Sequence, residues 1–246
     1  MRITITLLTY LTLLAFPLAT AARTATNEVL FSLGTNAYHA GDYGFAVYGF
    51  EQSAALLPAS GTLQNLGLAE WQRGQPGEAI LAWERALWLD PFNQSARTNL
   101  RFARKVAQIE APDLTWYEVV STWLPGNWWA WIGGTSLWVA VAAAMLPGIM
   151  RFPKAAWHQA VAALGLTVFL LSLPAHLGVL TRSRIGFVLP KATPLRLTPT
   201  SEAQVLTRLA PGEPARIEHR RGDFILVRTS HATGWVEREQ FGLISP

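Results

Sequence analysis

Two long stretches without charge dominate the hydrophobic pattern of the chain. No Asp, Glu, Lys or Arg occurs from Val119 to Met150, and none occurs from Ala155 to Thr181. Each stretch exceeds the roughly 20 residues that a helix needs to cross about 30 Å of hydrocarbon. The pattern therefore predicts two transmembrane helices, over residues 128–149 and 157–180, joined by a tight loop that contains Arg151 and Lys154.

A shorter apolar segment precedes the first predicted span. Residues 113–126 carry Trp116, Tyr117 and Trp123 in a pattern compatible with a helix. Trp and Tyr rings prefer the membrane–water interface. We expect this juxtamembrane segment to lie along the membrane surface.

The first 22 residues have the order of a secretory signal. Met1 and Arg2 give a positive start, an apolar run from Ile3 to Leu18 follows, and small residues lead to Ala21 and Ala22. Such a signal is removed after the small residues; the alternative is an uncleaved anchor. If the N-terminal region is exported, two spans place the C-terminal region on the same side of the membrane. We therefore expect a membrane-anchored protein with both flanking modules on the exported side.

The segment over residues 27–108 repeats with a period of 33 residues. Small residues at matched positions allow paired helices to approach closely, glycines permit a turn, and prolines end the second helix of each pair. The period therefore predicts two antiparallel helix pairs. The matched residues are Leu33 and Leu66, Gly34 and Gly67, Gly41 and Gly74, Ala46 and Ala79, Phe50 and Trp83, and Pro58 and Pro91.

A further amphipathic helix is predicted from Gln94 to Gln108. Its apolar positions would cover the open end of the second pair. Its basic face is either simply solvated or in contact with an acidic partner or phospholipid head groups. That face consists of Arg97, Arg101, Arg104 and Lys105.

The C-terminal region, residues 185–246, changes to short alternating runs separated by Pro and Gly. Period-two alternation with regular turns predicts a small all-β barrel. The fold class is therefore multidomain: helical repeats, a transmembrane hairpin and an all-β barrel. The predicted strands are centred on residues 187–189, 194–197, 215–218, 224–228, 234–236 and 241–244.

Composition narrows the function. The chain has no Cys, which excludes disulfides and Cys-based metal sites. Its net charge is only +4, and its basic residues do not form the cluster that a nucleic-acid-binding surface requires. No phosphate-binding glycine loop, His pair or nucleophile motif occurs. We expect a protein that is not an enzyme and has no cofactor or metal, with histidines such as His158 and His176 in packing or interfacial roles.

The matched glycines, aromatics and prolines resemble the tetratricopeptide repeat family. The resemblance implies a concave groove lined by the first helix of each pair. The Lys and Asn clamp that some relatives use for a peptide carboxylate is absent, so the alternatives are an apolar or aromatic contact and a groove that packs on the rest of the chain. The matching groove positions are Phe31, Thr35, Tyr38, Gln64, Asn65, Leu68 and Trp71.

The barrel region resembles bacterial SH3-like domains. The resemblance rests on a Pro211-Gly212 turn, the strand after Asp223 and a Gly234-Trp235 pair. Phe224 stands where the family usually has Trp. Some relatives bind cell-wall peptides or glycans, so a peptidoglycan-binding anchor is the alternative function, although Trp235 fits a core position better than a ligand platform.

The order of signal, repeats, two spans and barrel resembles the BatE-type proteins of bacterial aerotolerance operons. That resemblance implies a scaffold in a complex for assembly or stress tolerance. It also implies a location in the bacterial inner (cytoplasmic) membrane, with the helical repeats and the SH3-like domain facing the periplasm. The implied partners are membrane-anchored von Willebrand factor A-domain proteins, other tetratricopeptide Bat proteins and a MoxR-type ATPase complex, with membrane lipid around the spans.

Overall fold

A computed structural model describes residues 23–150 and 156–245. The predicted signal at residues 1–22 and the loop with Arg151 and Lys154 lie outside the described residues. Within them, the chain runs from a mostly helical N-terminal part through two long apolar helices to an antiparallel all-β part.

The N-terminal part contains five helices. A side-chain cap begins α2, where Asp42 accepts a hydrogen bond from the Phe45 amide, and another begins α5, where Asn93 accepts one from the Ala96 amide. Gly41 and Gly74 have φ of 79° and 74°, which suits the left-handed turns after α1 and α3. The helices are α1 (residues 23–39), α2 (Tyr43–Leu56), α3 (Ser60–Gln72), α4 (Pro76–Leu89) and α5 (Gln94–Ala107).

The small residues of the 33-residue period lie where the paired helices touch. A Cβ added to Gly34 would lie 2.9 Å from Phe50 Cδ1, and one added to Gly67 would lie 2.5 Å from Trp83 Nε1. Phe50 and Trp83 are almost fully buried, and the Trp83 indole donates a hydrogen bond to the Gln64 carbonyl at 3.1 Å. These contacts are the ring-against-glycine packing that the spacing predicts.

Three helices form the apolar unit: α6 (Trp116–Ser121), α7 (Gly126–Ile149) and α8 (Ala156–Arg182). The antiparallel pair α7 and α8 packs closely at Gly165, where an added Cβ would lie 2.8 Å from the Ser136 carbonyl oxygen. Only 22% of the most apolar window of α7 and 17% of that of α8 is buried. Both helices are therefore long and apolar enough to cross a membrane, and their apolar surfaces are mostly exposed.

The short helix α6 lies within the predicted juxtamembrane segment. It packs on the end of α8, because a Cβ on Gly178 would overlap the Tyr117 carbonyl oxygen. Trp116 and Trp123 remain mostly exposed beside it. The segment is therefore fixed to the second apolar helix at its C-terminal end.

The β part is one sheet of seven antiparallel strands in the order β3-β2-β6-β5-β4-β1-β7. The sequence pattern missed β3, because four of its five residues are exposed and it carries no inward alternation. The strands are β1 (Ile185–Val188), β2 (Thr193–Arg196), β3 (Val205–Leu209), β4 (Pro214–Arg221), β5 (Phe224–Arg228), β6 (Thr233–Glu237) and β7 (Phe241–Leu243).

Strand β1 is shared by two cores. All four of its residues are buried. Ile185 and Phe187 belong to the core of the helical part, whereas Val188 belongs to the core of the barrel. A strand covered on both faces reads as a continuous apolar run rather than an alternating one.

Helix α4 completes this shared interface. A Cβ on Gly77 would overlap the Leu189 carbonyl oxygen, and one on Gly242 would overlap the Leu81 side chain. The Arg85 guanidinium donates a hydrogen bond to the Leu243 carbonyl at 2.9 Å. The helical part and the barrel are therefore packed together through α4, β1 and β7, which the sequence pattern did not predict.

Candidate functional site

The predicted groove residues lie on α1 and α3, the first helix of each pair. Every one of them is partly buried, and the four apolar or aromatic ones pack against the helical core. They are Phe31, Thr35 and Tyr38 on α1, and Gln64, Asn65, Leu68 and Trp71 on α3.

Aromatic contacts fix two of the predicted groove side chains, Phe31 and Tyr38. The Phe31 and Phe50 ring centroids are 5.7 Å apart, and those of Tyr38 and Tyr43 are 5.5 Å apart. Such edge and tilted arrangements favour a fixed ring position. The two rings of α1 are therefore held in place by aromatic side chains of α2.

Trp71 has neighbours on both following helices. Its ring centroid lies 6.0 Å from that of Trp83 and 5.8 Å from that of Phe102 on α5. Phe102 is 56% exposed. The structure thus adds Phe102 to the aromatic side chains around Trp71. The sequence pattern missed it because only Ala96, Leu100 and Ala103 define the buried face of α5.

A buried carboxyl group lies next to Trp71. Glu70 is 4% exposed, and Arg73 Nη1 lies 3.1 Å from its Oε2. Burial raises the pKa of Glu70 to about 7; the Arg73 charge opposes this shift, and Glu78 and Glu51 add to it. Glu70 therefore gains a proton near neutral pH.

The four predicted basic residues of α5 have different environments. Arg104 forms an ion pair with the buried Glu84 of α4, and Arg97 donates a hydrogen bond to the Pro91 carbonyl. Arg101 and Lys105 are exposed and, within residues 23–150 and 156–245, form no ion pair. Arg104 thus stabilises the contact with α4, and Arg97 fixes the turn before α5. Arg101 and Lys105 remain available to contact a ligand or partner.

A further ion pair joins the barrel to the short helix α6. Glu118 is fully buried, and Arg216 of β4 binds it through two hydrogen bonds of 2.6 and 3.1 Å. Burial alone would raise the pKa of Glu118, but the hydrogen bonds from Arg216, Thr115 and Thr181 and the Arg216 charge lower it to about 2. The carboxylate therefore stays ionised throughout the physiological range.

Arg182, the last residue of α8, connects the same region to the helical part. Its guanidinium carbon lies 5.0 Å from the centre of the Trp88 ring on α4, and its Nη1 donates to Ser121 Oγ at 3.1 Å. This is a cation–π contact of the usual range. Parts of α4, α6, α8 and β4 thus meet at one charged junction.

A cleft of about 320 Å³ lies between the extended chain after α5 and the barrel. Charged side chains of both signs line it, including Glu110, Asp113, Glu213 and Arg228, and His231 lies beside them. Trp235 is half-buried in β6 and does not line this cleft. Among the described residues, no group of three or more His, Asp or Glu side chains is placed to hold a metal ion.

Comparison with known proteins identifies one part of the chain. No curated protein matches it. Residues 190–241 match the family described as Bacterial SH3 domain, and the match begins just after β1, the strand shared with the helical core. The C-terminal all-β part of this chain is a bacterial SH3-like domain.

Proposed function

We propose that this protein is a membrane-anchored scaffold that binds protein partners through the groove on α1 and α3. The observation that carries the proposal is the row of partly exposed, positionally fixed rings at Phe31, Tyr38, Trp71 and Phe102. Rigid aromatic side chains give a large contact area at small entropic cost, which is why they dominate binding hot spots. In this proposal the helix pairs are tetratricopeptide repeats.

The anchor in this proposal is the pair α7 and α8 in the inner membrane. Their exposed apolar surfaces support spanning, and the helical part and the barrel pack together, so they face the same compartment. A secretory signal at residues 1–22 would make that compartment the periplasm. The scaffold acts by binding and carries no catalysis of its own.

The order of modules supports membership of a Bat-type complex. In that complex the partners would be membrane-anchored A-domain proteins and other tetratricopeptide Bat proteins, linked to a MoxR-type ATPase in stress tolerance or assembly. The groove offers no carboxylate clamp, so the partner would contribute an apolar or aromatic segment.

Copurification of the full chain from detergent-solubilised membranes tests the groove. Thr35→Arg and Asn65→Arg place a large cation in the groove without removing a core ring, and we expect each to reduce partner recovery at least about tenfold. Tyr48→Arg on the exposed face of α2 is the matched control and should leave recovery unchanged. Recovery that is equal in all three variants would count against groove binding.

The cleft beside the barrel supports a second candidate, binding of cell-wall material by the SH3-like domain. Its mixed charges suit a ligand with both amines and carboxylates, such as a peptidoglycan stem peptide. Because β1 is shared with the helical core, the full chain is the correct probe. Cosedimentation with purified peptidoglycan that is lost in Ser230→Arg but kept in the distant Arg220→Glu would support this function, and no sedimentation would exclude it.

A further inference from the structure

We propose that the α4–α5 turn and one flank of α5 form a surface that binds the anionic head groups of the membrane in which the chain is anchored. This head-group face consists of Phe92, Arg97, Arg101 and Lys105. The inference rests on the proposed anchoring by α7 and α8. It assigns the exposed cations of α5 to lipid rather than to a protein partner.

The α4–α5 turn lies beside the ends of the apolar helices. Pro91 lines a small cleft together with Leu124, Gly126 and Val179. Gly126 is the first residue of α7, and Val179 lies three residues before the end of α8. These helix ends mark the level at which hydrocarbon gives way to head groups, so the turn lies at that level.

Phe92 follows Pro91 and is 61% exposed. Its amide donates a hydrogen bond to Asp90 Oδ1 at 2.9 Å, which fixes the turn. Trp123, on the connection between α6 and α7, and Trp128, in the first turn of α7, are also about 60% exposed. Several large rings at one level are typical of a membrane interface.

The cations follow the same turn. Arg97 is held against the Pro91 carbonyl, and Arg101 and Lys105 follow at intervals of four residues along α5. In the described part of the chain, none of the three forms an ion pair. A row of cations that starts at an interfacial turn and runs along α5 suits an anionic lipid surface, because each basic residue there contributes about fivefold in affinity.

Two contacts show that this flank of α5 is separate from the groove. Phe102 contacts Trp71 of α3, whereas Arg104 contacts Glu84 of α4. Arg97, Arg101 and Arg104 are spaced by four and three residues, so they share a flank of the helix. Arg97 and Arg101 therefore lie toward the α4 side, where Arg182 also lies over Trp88. Lys105, three residues after Phe102, lies between this flank and Phe102.

The absence of Cys allows a direct test with single labels. Phe92→Cys and the control Phe45→Cys, an exposed ring on α2, each receive an environment-sensitive fluorophore in the full chain. The chain is reconstituted in phosphatidylcholine nanodiscs with or without about one third phosphatidylglycerol, together with a lipid that carries a shallow nitroxide quencher. We expect at least about twofold stronger quenching at position 92 than at position 45, and a further increase with phosphatidylglycerol.

Charge reversal separates the cations from the ring. In the Phe92→Cys background, Arg101→Glu with Lys105→Glu should abolish the increase with phosphatidylglycerol, whereas Arg220→Glu on β4 should retain it. Equal quenching at positions 92 and 45, or an increase that survives the double reversal, would overturn the proposal. If the chain did not enter nanodiscs at all, the anchoring itself would be wrong and the head-group face with it; groove binding is read independently by copurification.

Discussion

Helices α2 and α4 occupy equivalent places in the 33-residue period, yet within residues 23–150 and 156–245 only α4 is covered by the barrel and the apolar helices. Gly44 of α2 has no close neighbour beyond Asp42 Oδ1 at 3.6 Å, whereas the equivalent Gly77 touches the Leu189 carbonyl. Tyr48 is 52% exposed and stacks on Phe45, whereas the equivalent Leu81 is 3% exposed under β7. The two repeats share the same internal packing but differ in their surroundings. The outer face of α2 in the first repeat is exposed, whereas α4 in the second repeat packs against the barrel and the apolar helices.

The charged junction is what makes the second repeat different, and breaking it should give the largest effect. Glu118→Gln leaves Arg216 without its charged partner in a largely buried site, and we expect a loss of about 3 kcal/mol in the free energy of unfolding. The change is measured by chemical unfolding of the full chain in detergent. The Glu118 pKa of about 2 means that the wild-type contribution is present above the unfolded pKa of about 4.5 and is lost as the pH falls toward 2.

The pair between Glu218 and Arg228 on neighbouring strands is the matched control. The Arg228 side chain is 65% exposed, so solvent screens the interaction. Glu218→Gln should change the unfolding free energy by less than about 1 kcal/mol. Similar losses of unfolding free energy for Glu118→Gln and Glu218→Gln would show that burial does not make the junction pair stronger than an exposed ion pair.

A smaller but opposite pair of effects is expected at the two equivalent glycines. Gly77→Ala places a methyl group against the Leu189 backbone, so we expect a loss of about 1 to 3 kcal/mol in the unfolding free energy. Gly44→Ala meets open space in a helix and should stabilise by about 0.5 to 1 kcal/mol. The sign difference, measured by thermal unfolding followed by circular dichroism, tests whether α4 is truly covered and α2 truly open.

Much of this comparison could be predicted from local spacing. The contact of Gly67 with Trp83 follows from the period of 33 residues, because small and large residues recur at helix-pair positions. The two long apolar helices follow from the absence of charge. These features depend on residues close in sequence or on repeated patterns.

The covering of α4 could not be predicted in the same way. Glu118 and Arg216 are 98 residues apart, and either one alone looks like an ordinary surface charge. The sequence assigns Phe187 to the barrel alone, whereas in the structure it belongs to the same core as α4. Phe102 lies outside the apolar stripe of α5, so its contact with Trp71 depends on how α5 is placed against α3. Long-range docking, rather than local pattern, decides these positions.

The second repeat also differs from the first by a buried carboxyl group. Glu70 occupies the position of Ala37 in the first repeat and of Ala103 in α5. Its folded pKa of about 7 exceeds the unfolded value of 4.5, so the folded state binds more protons between these values. By linkage, this group makes the fold more stable as the pH falls from about 7 to about 4.5, and it adds no further change below that.

Glu70→Gln should remove that pH dependence. Because the variant lacks the cost of a buried charge, it should be more stable than the wild-type chain at pH about 8, by an amount on the order of 1 kcal/mol, and the two should converge near pH 5. Thermal unfolding of both proteins across this range isolates Glu70, since all other titrating groups are shared. A stability difference that stays constant with pH would mean that Glu70 is ionised in the folded state throughout this range. The charge of Arg73 would then be sufficient to keep the buried carboxylate ionised.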